Sequence, residues 1–268
     1  IFASIFDIDL SSSSYFKSNI NYFAIILGGA LFGAGMMIAD GCSSRSIVKF
    51  SQGDANALVT LLFIAIFAFA STKGILFGVV NGFINNQFMI DISSNLSNFT
   101  LNIYFVLAIL VLLLAYFVKK VKRVFSLYDG VIIGFLVGLS WFISGYIGAE
   151  SIEKEIQVQA LSYVFPSAKT LEFFTFFEIT ELSIGVCIVL GAIFGAYFST
   201  FFNKKYSFGC TSKMNFNKLK YNMIGGSMMG IGGIMAIGCT VGQGLSGVST
   251  LVFSSFLAII SIGVSGFI

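Results

Sequence analysis

Long unbroken apolar runs recur along this chain, without the alternation of apolar and polar positions that a strand with one wet face shows. Seven stretches come close to the length of about 20 residues that carries a helix across a bilayer: 22–39, 55–71, 101–118, 130–147, 179–201, 223–237 and 248–267. An eighth, 74–90, carries Asn81, Asn85, Asn86 and Gln87 and reads as interfacial or partly re-entrant. Strands of a membrane barrel would be short and alternating, so helices are the spanning element. The expected fold is an all-α integral membrane protein with about seven to nine transmembrane helices in one membrane domain, residues 1–268.

Composition sharpens this. Of 268 residues 57% are hydrophobic and only 10% charged, and there is no His, whereas soluble domains average roughly a quarter charged residues. Such a chain cannot cover a water-facing surface, and nothing in it suits nucleic acid. Without His the commonest neutral-pH proton shuttle is missing. The four cysteines, Cys42, Cys187, Cys210 and Cys239, form no Cys-x-x-Cys pair, so no metal site and no redox pair is expected. No cofactor is indicated, and no Gly-x-x-x-x-Gly-Lys-Ser/Thr loop for ATP is present. The chain opens on Ile, and residues 1–10 read as the tail of an earlier span, with no cleavable signal peptide.

Lys and Arg in short loops mark the cytoplasmic side. If each of the seven stretches crosses once, eleven basic residues against three acidic ones fall on one face, net +8, and four against nine on the other, net −5. The inner basic set is Arg45, Lys49, the 119–123 cluster and the 204–220 loop; Lys73, Lys169 and Glu172 are expected outside. The largest outer loop, 148–177, is acidic and is expected to contain an amphipathic helix. A multi-pass membrane protein, in contact with lipid, fits this asymmetry.

Residues 28–42, GGALFGAGMMIADGC, align with 225–239, GGSMMGIGGIMAIGC, at an offset of 197. Both copies end in Gly-Cys and pass into a polar, turn-prone segment. In the topology above they start from opposite faces, which predicts two inverted halves, about 22–118 and 130–268, the arrangement that places transporter sites at a repeat interface. Small residues four apart (Gly29 and Gly33; Gly130, Gly134 and Gly138; Gly191 and Gly195; Gly226 and Gly230) read as helix-packing faces. Counted from its double glycine, each repeat is about ten residues, too short to cross about 30 Å, so each is expected to stop near the midplane. The competing reading is an ordinary helix cap at the membrane surface.

A broken helix at that depth offers amides and a positive helix end to an anion. Gly41, Ser43, Ser44, Gly238, Thr240, Gly242, Gln243 and Gly244 supply neutral hydroxyl, amide and backbone donors, with Cys42 and Cys239 beside them. A thiol is a weak, polarisable donor suited to a soft sulfur-containing anion, and weak binding lets a passing solute go. Cys187 by itself reads as core filler, and Cys210, in the basic inner loop, as a bystander.

The pair GGALFGAGMMIADGCSSRS and GGSMMGIGGIMAIGCTVGQGLSG resembles the signature of the YeeE/YedE family of bacterial membrane proteins, thiosulfate uptake transporters also described as sulfur transport proteins. The resemblance implies opposed re-entrant elements in an hourglass and a thiosulfate permease, not an enzyme, passing the anion along a file of thiols. Carried over by position, it points to Cys42 and Cys239, and by spacing to Cys187 as the third thiol. It also implies a small cytoplasmic TusA-like sulfurtransferase as partner, for which Arg45, Lys49 and the 204–220 loop offer a basic surface. The alternatives are a transporter of another sulfur or selenium species, a membrane thiol enzyme forming a persulfide, and an anchor for a sulfurtransferase.

Overall fold

The computed structural model describes Tyr15, Leu112 and residues 21–84, 125–147, 160–176, 182–202 and 216–267. The expected span at 101–118, apart from Leu112, and Cys210 lie outside these residues. The described chain is helical: α1 (Tyr22–Ile38), α2 (Ser43–Ser51), α3 (Ala55–Thr72), α4 (Phe77–Ile84), α5 (Phe125–Phe142, continuing as a π turn through Ile147), α6 (Val164–Thr175), α7 (Ile184–Phe202), α8 (Phe216–Met235), a π segment (Gly242–Gly247) and α9 (Phe253–Phe267). Among the described residues, four segments are long and apolar enough to cross a membrane: Tyr22–Ser51, Ala55–Thr72, Tyr128–Gly145 and Ile184–Phe202. The chain is an all-α, multi-pass membrane protein.

Local chemistry sets the helix starts. Asn21 Oδ1 accepts from the amides of Phe23 (3.0 Å) and Ala24 (3.3 Å), and Asp54 Oδ1 from Asn56 N (3.0 Å), satisfying donors that a helix leaves open at its first turn. Pro166 sits in the first turn of α6, where its missing N–H costs nothing. The stretch at 74–90 yields only the eight-residue α4 among described residues. The loop at 148–177 contains α6, whose Val164, Pro166, Ser167 and Ala168 are buried against α3, α7 and α8. Helix α6 is therefore part of the packed body.

The centre is the antiparallel crossing of α1 and α8. A Cβ built on Gly28 would lie 2.9 Å from the Gly232 carbonyl, and one on Gly35 2.7 Å from the Gly225 carbonyl. The reverse contacts, from Gly232 to the Gly28 carbonyl and from Gly225 to the Gly35 carbonyl, are both 2.6 Å. Only glycine allows backbones so close. Under the offset of 197, Gly28 becomes Gly225 and Gly35 becomes Gly232, so the contact maps onto itself. The flanks repeat too: Gly29 and Gly33 face Ala258–Ser261 and Ile262–Ser265–Gly266 of α9, while Gly226 and Gly230 face Thr60–Phe63 and Ile64–Phe67–Ala68 of α3.

The other glycine rows differ. Gly130, Gly134, Gly138, Gly191 and Gly195 have nothing within 4 Å of a built Cβ, so no described residue packs on them, and the packing faces expected there are not seen. The helices also begin well before the double glycines: α1 has 17 residues and α8 has 20, about 26 and 30 Å at 1.5 Å per residue. The helices are thus longer than the ten residues counted from each double glycine.

Candidate functional site

Each Gly-Cys motif is a helix end followed at once by a helix start. In the first, Gly41 N bonds Met36 O (3.0 Å) and Asp40 N bonds Met37 O (3.5 Å); in the second, Gly238 N bonds Gly233 O (2.8 Å) and Ile237 N bonds Ile234 O (3.2 Å). This is the Schellman pattern, with a left-handed residue at the turn. Asp40 and Ile237 both have φ 58°, and Gly41 and Gly238 follow at 152° and 159°. Left-handed backbone is awkward for any side chain and most so for β-branched Ile237, at about 1–2 kcal/mol. The cap reading thus describes the local geometry, but the chain does not leave into a loop. Cys42 begins α2 and Cys239 begins the next helical segment, with Ser46 N on Cys42 O (3.0 Å) and Gln243 N on Cys239 O (2.8 Å).

The copies then separate by one residue. Between Cys239 and α9 the backbone takes the π turn Gly242–Gly247, and the offset becomes 198: Leu251 (φ 56°) answers Gly53 (φ 96°), and Phe253 answers Ala55 as the start of the next helix. A π turn absorbs one inserted residue and often lies at functional sites.

The two thiols sit differently. Cys42 is partly exposed, and its Sγ lies 3.1 Å from Ser44 Oγ. Cys239 is fully buried, and its Sγ accepts from Gly242 N at 3.3 Å. The Thr240 hydroxyl stands beside the Cys42 thiol, so the first cysteine abuts the residue following the second. Tyr163, immediately before α6, is within electrostatic reach of both thiols and packs on the cluster containing Cys239. Around them, Ser43 Oγ and Thr240 Oγ1, equivalent positions at the two helix starts, are buried without a hydrogen-bond partner among described residues, as is Gln243 Oε1. Buried hydroxyls left unpaired are costly unless something occupies the space they face.

The remaining expected residues divide. Gly41 is covered by the Arg45 side chain, 3.0 Å from a built Cβ, and Gly238 lies against Gln243. Gln243 Nε2 donates to Ala236 O (2.5 Å), and the Tyr15 hydroxyl donates to Gly242 O (3.1 Å). Gly244 faces open space. Cys187 lies on the exposed face of α7, and no described contact joins it to the other thiols. Tyr15 and Tyr163 were not foreseen: no spacing or motif in the sequence ties either to the Gly-Cys repeats.

Two adjacent helix starts, two thiols and unpaired hydroxyls thus lie together on a helical membrane framework. Residues 2–268 match the Sulphur transport family, and the chain belongs to that family, the YeeE/YedE proteins. It is also similar to "Thiosulfate transporter TsuA" of Escherichia coli (strain K12), 20% identical over 262 residues, covering 88% of this chain and 70% of the relative. The chain is a transporter of sulfur anions, not an enzyme.

Proposed function

We propose that the protein is an inner-membrane permease that takes up thiosulfate along a narrow path through the paired Gly-Cys motifs. The observation that carries this is the meeting of two equivalent helix starts, where Cys42 and Cys239 flank the unpaired hydroxyls of Ser43 and Thr240. An isolated charge at the bilayer centre costs several kcal/mol or more. Helix-end amides, two hydroxyls and two S–H donors lower that cost without the tight hold of a buried cation. The anion passes between thiols by hydrogen bonds and no covalent bond forms. Cys187 is the third candidate thiol, on the approach along α7.

The matched backbone torsions, the self-reciprocal α1–α8 crossing and the repeated flanks support two inverted halves, about 22–118 and 130–268, carrying repeats 28–42 and 225–239. An antiparallel crossing that maps onto itself has its two-fold axis across the helices, as inverted repeats require. Arg45 and Lys49 beside the first motif favour delivery to a small cytoplasmic sulfurtransferase of the TusA-like type.

The test is uptake of labelled thiosulfate into proteoliposomes of the purified protein, with Cys42, Cys187, Cys239 and Cys210 each replaced by Ser. Cys42→Ser and Cys239→Ser are expected to abolish uptake, and Cys210→Ser to leave it intact. Uptake unchanged in both of the first two variants overturns the thiol path; absence of uptake by the unaltered protein overturns the permease reading.

A further inference from the structure

A second polar place lies away from the thiols. A cavity of about 320 Å³ opens between α3, α4, α6 and the end of α8, its mostly apolar lining including Ala168 and Ile234 and interrupted by Lys73, Asn81, Lys169 and Glu172. At roughly 30 Å³ per water, it has room for a small anion and part of its hydration shell. Its charges are unequally used. Lys73 Nζ is 2.5 Å from Glu172 Oε1, with the Lys73 side chain 63% exposed and Glu172 only 16%. Lys169 is given no acid partner by any described ion pair; its ammonium lies over the Phe165 ring, 5.1 Å from the centroid. Among the described residues, one carboxylate therefore answers two ammonium groups.

Position gives this excess cation a use. Ala168 belongs to the same apolar cluster as Cys239, and Ile234 packs against that cluster, so the cavity adjoins the core that holds the buried thiol. We propose that this cavity is a capture site for a divalent sulfur oxyanion, thiosulfate under the reading above on which this inference rests. The still-hydrated anion binds Lys169 there before it loses its water at the Gly-Cys motifs. Glu172 holds Lys73 partly in check, keeping the site weak enough to release. A site with both lysines free would bind more tightly and pass the anion on more slowly.

The signs of three substitutions test this. In proteoliposomes of the full chain, initial rates of labelled thiosulfate uptake are measured against concentration for Lys169→Gln, Lys169→Arg and Glu172→Gln, with thermal stability recorded for each. Removing the Lys169 charge is expected to raise KM roughly tenfold, the order of one charge-assisted hydrogen bond, while Vmax holds. Lys169→Arg is expected to keep KM near the starting value. Glu172→Gln is expected to lower KM severalfold, because it frees Lys73. A structural tie between α3 and α6 predicts the reverse for Glu172→Gln, lost stability with KM unchanged or raised, and that result overturns the proposal. So does a KM indifferent to Lys169→Gln, or an effect of Lys169→Gln that appears only when anionic lipid is present, which would assign the cavity to a lipid headgroup. Uptake that needs Cys239 yet ignores Lys169 leaves the permease standing and removes only the capture site.

Discussion

The two Gly-Cys segments share a backbone and differ in almost everything attached to it. Their turns have the same φ of 58°, yet one is occupied by Asp40 and the other by Ile237. In the first, Lys49 Nζ bonds Asp40 O (2.9 Å) and Oδ2 (3.0 Å), and Arg45 covers Gly41. In the second, the residue matching Arg45 is Gly242, whose N–H caps the buried Cys239 thiol, and the turn beyond has an extra residue. Repetition fixes where the helices break. The side chains then make one end charged and partly open, and the other neutral and closed.

The shared backbone is the more fragile part. Gly28→Val or Gly232→Val drives side-chain atoms into a carbonyl less than 3 Å away, costing about 3 kcal/mol or more. Both variants are expected to lose the folded monodisperse protein on size-exclusion chromatography. Gly134→Val and Gly195→Val, which no described residue crowds, are expected to elute as the unaltered protein does. Equal damage from all four would show that the α1–α8 crossing has no special place.

The unlike side chains predict a difference in reactivity. With the other cysteines replaced, Cys42 is expected to react with a small water-soluble maleimide at least about tenfold faster than Cys239, because Cys239 is 0% exposed and must wait for a local opening. Equal rates would mean that the second segment is as open as the first. The extra residue is probed by deleting Gly244, which has open space around it. The deletion is expected to convert the π turn to an α turn and keep α9 in place, with little change in thermal stability. Uptake is expected to fall severalfold, because Gly242 N and Gln243 leave their positions beside Cys239.

Much of this was written in the residue pattern. Apolar runs located α1, α3, α5 and α7 to within a few residues, since a buried span leaves no other option for its backbone. The repeat GGALFGAGMMIADGC and its partner located the helix breaks, because each helix ends in a left-handed residue followed by a glycine whose φ, 152° or 159°, few side chains accept. What stayed illegible depends on tertiary contact. Tyr163 reaches the thiols from a loop 76 positions before Cys239, and no periodicity encodes that. Cys187 sits in an apolar helix whether it faces a path or not, and the structure puts it on an exposed face. Counting from the double glycine understated the helix lengths, because the polar first turns of α8 are helical all the same.

The smallest effect concerns the ion pair that most visibly distinguishes the two ends. Lys49 and Asp40 are 3.0 Å apart, but their side chains are 26% and 65% exposed, and pairs open to water contribute about 1 kcal/mol or less. Lys49→Gln is therefore expected to leave thermal stability almost unchanged, because the Schellman hydrogen bonds, not the ion pair, hold the turn. Its effect should appear in the uptake assay as a modest fall in salt sensitivity, since one cation fewer beside the first motif attracts the anion. A large loss of stability would mean that the charged end is held by its side chains, and the neutral end, which has no such pair at Ile237, would then need another explanation for the same φ.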